Sequence, residues 1–484
     1  MDTVTKVWSL YEKGVRLHQK LGLVGNTEKA HHFYEGDQWY GLESGEPLPV
    51  YNFIAPVINY KVASIASSQM AIYFSDVRAA EPSSDWLSLL NQKAAMWWEK
   101  KKMDTLCWKM LKESAIAGES YLYFYNGEGD CQMVDNTNVF LGDEQCADIQ
   151  RQPYILLYER RAVDQVKALA EQNGLPPEKV ALITEDGEDY LGESDGKCSV
   201  LLYMSVREGG LYFSRSTRYV EVEPERLVPG MDRYPLAALV TNPKKGSARG
   251  RGEVLPLIAN QIEVNRNLVR RIVNAKMTAF SRLVYATDKI DNPEDLNRVG
   301  TAIAVSDSTV SDIHSAVGYV TPSPMSGDAK SIADELLSVT KELAGAGGSA
   351  LGTIDPTQTS GAAIIAVRDQ AKIPLNELAA SFRQFVEDVA LIWYRLWQCY
   401  HIREFEALGV STREMRLAET AVRIDATDKE PFSKYAREQS LQGFFEKGAI
   451  TFEEFVRALD DDASVPKSRL LEIIQQRKEN EVYE

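Results

Sequence analysis

Three places in the sequence hold side chains that could bind a metal or a phosphate. His31 and His32 are adjacent imidazoles, Asp460, Asp461 and Asp462 form an acidic run, and Arg249-Gly250-Arg251-Gly252 precedes a helical pattern. Neighbouring helical side chains point ~100° apart, so His31 and His32 are poorly placed to share one metal. The aspartate run lacks the glycine and spacing of a calcium loop and reads as a solvated helix end. The Arg-Gly stretch lacks the third glycine of a dinucleotide fingerprint; it reads as a solvated linker, with a phosphate cradle as the alternative. Gly192-Glu193-Ser194-Asp195-Gly196-Lys197-Cys198 has neither the spacing nor the last residue of a nucleotide-binding P-loop. His18, His314 and His401 form no HExxH pair, and no Ser or Cys sits in a GxSxG elbow. The expectation is a protein that is not an enzyme, with no catalytic residues, no cofactor and no metal.

The bulk properties narrow the class. At 484 residues the chain suggests about three structural units, and 44% apolar with 26% charged residues is globular composition. Lys and Arg number 54 against 70 Asp and Glu, a net charge of −16. That balance excludes coating nucleic acid through bulk positive charge. Five scattered cysteines without a CxxC pair fit a reducing compartment and no disulfide framework. No run reaches the ~18 apolar residues of a membrane span, and Met1 to Lys13 lacks a signal-peptide layout. A soluble, intracellular product is expected.

The elements that would position any site are read from periodicity. Lys6 to Ile72 is helical with an interruption at Pro47 and Pro49. A second helical zone runs from about Ser84 to Ala117. Within it Trp97 and Trp98 cannot share one helix face, so at least one should meet a different element or a neighbouring chain. Ser120–Tyr125, Tyr154–Glu159, Ser199–Val206, Gly210–Ser214 and Arg218–Val222 read as strands of a mostly antiparallel sheet. Between them lies a helix from about Ala162 to Gln172. Glu253 to Phe280 reads as a long helix, with Leu255, Ile258, Ile262, Val269 and Ile272 on a stripe that includes polar Asn265. Short strands are expected at Arg282–Ala286, Thr301–Val305 and Gly318–Val320, around a brief helix starting at Asn292-Pro293. A second long helix, Asp328 to Ala344, carries Ile332, Leu336, Val339 and Leu343 on one face. A glycine-rich loop, 345–361, precedes a very long helix, Ala362 to His401, that Pro374 should kink. The tail from Pro431 is helical, with a capping-box start at Thr451-Phe-Glu-Glu454.

That order of parts resembles the portal proteins of tailed double-stranded-DNA bacteriophages, in the branch typical of long-tailed phages of Gram-positive hosts. Phe33-Tyr-Glu-Gly-Asp-Gln-Trp-Tyr-Gly41, followed by Asn52-Phe-Ile-Ala-Pro-Val-Ile-Asn59, is similar to the family's N-terminal aromatic-Gly-Asp segment and Asn-rich helix. Gly252 to Asn267 resembles the start of its first stem helix, and Ser360-Gly361-Ala362-Ala363 the start of its long wing helix. Gly448-Ala-Ile-Thr-Phe-Glu-Glu454 resembles a helical C-terminal motif.

The resemblance implies an α+β, mainly helical fold with wing, stem, clip and crown regions. The wing would be 1–252, with its β-rich part at about 119–240. The first stem helix would be 253–280, the clip 281–325 and the second stem helix 326–344. A tunnel loop at 345–361, the kinked wing helix and its return at 362–430 and a helical crown at 431–484 would follow. It implies a ring, normally of twelve copies, at one capsid vertex of a virion assembled in the host cytoplasm. Such a ring is the channel for genome packaging and ejection. Its partners would be the terminase large subunit, major capsid and scaffold proteins, a head-completion or tail adaptor, and duplex DNA passing non-specifically. Other structural connector or minor capsid proteins, and a DNA-packaging enzyme, are the alternatives. In this frame the channel-facing candidates are Gly347, Gly348, Leu351, Thr353, Ile354, Thr357 and Thr359; a surface linker is the other reading of that loop. The stem cations Arg266, Arg270, Arg271, Lys276, Lys330 and Lys341 either contact phosphates or pair with acids on neighbouring subunits.

Overall fold

The computed structural model describes residues 3–39, 48–66, 68–76, 85–187, 195–279, 282–296, 298, 300–305, 316–320, 327–345, 373–408, 410, 415, 420–428, 441–459, 467, 469–471 and 473–474. Helices α1 (Thr3–Leu21), α2 (Leu23–Glu35) and α3 (Ile54–Ala66) lead to strand β1 (Ser68–Asp76). Helices α4 (Asp85–Lys100) and α5 (Met103–Ala117) precede β2 (Glu119–Phe124), β3 (Cys131–Val134), β4 (Val139–Leu141) and β5 (Ile155–Ala162). Then come α6 (Val163–Gln172), α7 (Pro177–Val180), β6 (Lys197–Arg207), β7 (Gly210–Ser216), β8 (Glu221–Pro229) and β9 (Leu236–Val240). The long α8 (Ile258–Ala279) is followed by β10 (Arg282–Tyr285), β11 (Val317–Val320) and α9 (Gly327–Leu343). The described chain closes with α10 (Asn376–Tyr400), α11 (Ile402–Ala407), β12 (Thr420–Asp428) and α12 (Phe452–Ala458). The protein is thus α+β, with helices beside antiparallel sheets.

The chain divides into two units. The first comprises Met1–His31, Ile58–Leu255 and Gly348–Glu484; the second comprises His32–Val57 and Pro256–Gly347. In the first, β4-β5-β6-β7-β8 form one antiparallel sheet and β3-β2-β9 another. Every residue of β2 is buried, because α5 backs the sheet that β2 centres. On the five-stranded sheet, α6 sets Val166 and Ala170 against Cys198, Val200 and Val222. Helix α1 stacks Tyr11 on Tyr158, ring centroids 5.5 Å apart.

Several expectations are corrected. Residues 68–72 are not helical: Met70, Ile72 and Phe74 are buried alternately along β1, the period of a strand. The Ser84–Ala117 zone is two helices, because Lys102 adopts a left-handed conformation (φ 52°) between α4 and α5. The last strand of the large sheet starts at Glu221 rather than Arg218; residues 217–220 make a turn closed by the Thr217 N–H donating to Val220 O. Thr301–Val305 contributes one bridge, Val305 to Ile290, instead of a strand. Asn292 does not cap a helix; its amide holds the loop by donating to Ala302 O and accepting from Ala304 N. Pro374 lies in a 3₁₀ turn, Ile373–Leu375, directly before α10, and the residues on its N-terminal side that the expected kink would involve lie outside the described residues. The expected helix over 362–372 lies outside the described residues, as does Asp460–Asp462. The Thr451 capping box is present, with both reciprocal hydrogen bonds.

Candidate functional site

The second unit is built around α8 and α9. Asn260 Nδ2 near the start of α8 donates to Thr340 Oγ1 near the end of α9 at 2.9 Å, so the two helices run antiparallel. The first half of α8 is held by Gln38 and by residues 51–53. Asn265 Oδ1 accepts from the Tyr51 N–H at 3.0 Å, and Asn265 Nδ2 donates to Gln38 Oε1 at 2.5 Å. One turn earlier, Gln261 accepts from the Phe53 N–H and donates to Tyr51 O. Asn52 caps α3 through its Oδ1 and donates to Tyr34 O. A helix face holding two buried amides is costly unless each is satisfied, and here the partners are backbone groups of Tyr51 and Phe53 and the side-chain amide of Gln38. Stretches that stand apart in the sequence (33–39, 52–53 and 261–265) therefore form one lock. Periodicity marks Asn265 as an oddity in the stripe but gives no hint that Gln38 is its partner.

Beyond Asn265 the surroundings of α8 change. Arg270, Ile272, Val273 and residues 275–279 are exposed, and β10 and β11 pair only with each other among the described residues. On α9 three of the four residues expected to form a core stripe are exposed, Ile332 by 59%, Val339 by 43% and Leu343 by 82%, while Leu336 is half-buried. On the hairpin Tyr319 is 68% and Val320 56% exposed. Among the described residues these apolar groups are left largely in water.

The stem cations fall into three sets. Arg266 pairs with Glu263 at 2.9 Å, and Arg270 reaches the other Glu263 oxygen at 3.9 Å, both on the exposed surface of α8. Arg271 and Lys341 are half-buried and Lys276 is exposed. The Lys330 side chain lies outside the described residues. So do all seven loop candidates, Gly347, Gly348, Leu351, Thr353, Ile354, Thr357 and Thr359.

The basic loop before α8 belongs to the first unit and is not a solvated linker. Arg249 is 2% exposed; its Nη1 donates to Glu119 Oε1 at 2.9 Å and its Nη2 to Glu144 Oε1 at 2.8 Å. The same guanidinium donates to Val139 O and to His18 Nε2. Gly250 donates its N–H to Glu119 Oε2, and a Cβ there would lie 2.1 Å from Gly118 O. With these donors taken internally, Arg249 has none to offer a phosphate. Burial, then the Arg249 charge, push His18 down to about 4, so it stays neutral and accepts. Burial pushes the Glu119 carboxyl up, against the opposing pull of Arg249 and the Gly250 N–H.

The adjacent indoles meet one helix of the same unit. Trp97 makes edge contacts with Trp393 and Trp397 of α10, and Trp98 lies edge-on to Trp393 while donating to Asp104. His31 and His32 turn to different acids, Glu113 and Asp37. Among the described residues no group of three or more His, Cys, Asp or Glu could hold a metal, and no helix is long and apolar enough to cross a membrane.

No family model matches the chain. Among curated proteins, a 71-residue stretch is 34% identical to the type III pantothenate kinase of Marinomonas sp. (strain MWYL1), over 15% of this chain and 29% of that protein. The chain therefore spans less than a third of the curated relative it matches. Among solved structures it is similar to a chain of the virion of the native gene transfer agent particle. That match has a TM-score of 0.41 and 10% identity, covering 89% of this chain and 91% of the other.

Proposed function

We propose that the protein is a non-catalytic portal subunit. Copies form a ring at one capsid vertex that passes the genome during packaging and ejection and docks the terminase motor and the head-completion proteins. The observation that carries this reading is the second unit. Two antiparallel helices lead into and out of a small strand insert, and the unit leaves Ile332, Leu343, Tyr319 and Val320 in water. Each large apolar side chain gains roughly 1.5–3 kcal/mol when buried, so such a surface favours contact with further copies. Repetition around a rotation axis satisfies every copy alike. The negative charge of the chain suits a channel that must not hold duplex DNA, since basic linings bind it through counterion release.

Electron microscopy of the purified protein tests the proposal. At 54.2 kDa per chain a twelve-copy ring has a mass near 650 kDa and a central channel. Monomers at every concentration and salt condition would refute it.

A further inference from the structure

A two-stranded ribbon stands in the first unit. Strand β1 pairs along its whole length with β12, from Ser68 opposite Asp428 to Asp76 opposite Thr420, and no third strand joins them among the described residues. In an antiparallel pair, alternate residues turn both backbone groups toward the partner strand and the others turn both away. The Phe74 N–H donates to Asn91 Oδ1 of α4 at 2.8 Å, so the backbone N–H and C=O groups of Phe74, Ile72 and Met70 turn away from β12 while their side chains are buried. The backbone groups of their register partners Val422, Ile424 and Ala426 likewise turn away from β1. Asn91 occupies the Phe74 position; Met70 and Ile72 have no outward partner among the described residues.

Beside this edge runs a groove of about 210 Å³ between β1 and α4. Ala94 and Ala95 line the α4 side, small enough to admit another backbone, and Glu99 stands at the rim. Glu99 is exposed and has no ion-pair partner among the described residues; the same holds for Arg423, midway along β12. Among the described residues an acid without an ion-pair partner thus sits at the groove and a base without one on β12, whose outward edge carries no further strand. Two-stranded ribbons are marginal in water, and bare edges are templates for pairing.

We propose that β12 of a second copy docks in this groove and pairs antiparallel with β1, bringing its Arg423 to Glu99. Rotation about an axis parallel to the strands preserves strand direction, so β12 of the next copy meets β1 antiparallel without any rearrangement. The contact is head-to-tail, each copy offering one groove and one strand, the kind of contact that builds a ring when its rotation closes and not a two-fold dimer. This inference rests on the ring reading and specifies where copies join in the first unit.

The test is sedimentation of the full chain over a concentration series, with micrographs of the assembled fraction. Glu99→Arg and Arg423→Glu alone should each raise the assembly midpoint about tenfold, and the double variant should return to within about threefold of wild type. Ala426→Pro removes an outward N–H without touching the β1–β12 ladder and should block assembly while thermal unfolding is retained. If the wild type forms rings and the charge variants assemble equally well, strand docking is wrong and the ring reading stands. A wild type that stays monomeric overturns both.

Discussion

Arg249 and Glu119 form an ion pair in which both side chains are almost wholly removed from water, 2% and 1% exposed, with Nη1 2.9 Å from Oε1. The pair ties the loop that precedes α8 to the first residue of β2, and Gly250 and Gly252 let that loop lie directly on the backbone of residues 116–118. A buried charge pair adds little net stability over an apolar substitute, but removing one member leaves the other uncompensated. What the pair supplies is a fixed position for the chain leaving the β-rich unit.

Arg249→Met should therefore destabilise the protein by about 3–5 kcal/mol in denaturant titration, because Glu119 and Glu144 lose their shared partner. Arg249→Met combined with Glu119→Leu should recover part of that loss. A single variant within 0.5 kcal/mol of wild type would show that the pair is not anchoring the loop.

His18 makes stability depend on pH. Its folded value is about 4 against an unfolded value of 6.5, so between these the unfolded chain binds the proton and the folded chain does not. Stability contributed here is full above pH 6.5 and falls as pH drops toward 4, by about 3 kcal/mol in total. Carboxylates titrate in the lower part of that window, so the measured quantity is the difference between wild type and His18→Gln. That difference should change with pH between 6.5 and 5, where few acids contribute. A difference that is flat there would assign His18 the same protonation in both states.

The exposed face of α9 should matter for assembly and not for folding. Ile332→Asp with Leu343→Asp changes side chains that are already in water, so the unfolding free energy should stay within about 1 kcal/mol. Native mass measurement should show the assembly midpoint rising at least about tenfold in concentration. Unchanged assembly would place the subunit contacts elsewhere.

The glycine-rich loop is the remaining functional candidate. Leu351→Asp with Ile354→Asp should leave assembly intact and reduce DNA packaging into proheads. Normal packaging and genome retention by intact rings would make the segment a linker.

Sequence alone determined the elements whose signals are local. Helix α6, strands β6 and β7, helix α9 and the Thr451 capping box follow from periodicity and capping chemistry within a few residues of each other. These codes operate at separations of two to four positions, and nothing distant needs to be known to apply them. Tertiary structure alone decided the features that need two remote partners. Arg249 looks like a solvated base until Glu119 and Glu144, more than one hundred positions earlier, are folded around it. β1 is helical in texture until β12, about 350 positions on, supplies its ladder. Trp97 and Trp98 both find Trp393, and Asn265 finds Gln38, across gaps that no spacing rule spans. A buried polar or paired group is defined by its partner, and the partner is chosen by the packing of the whole unit.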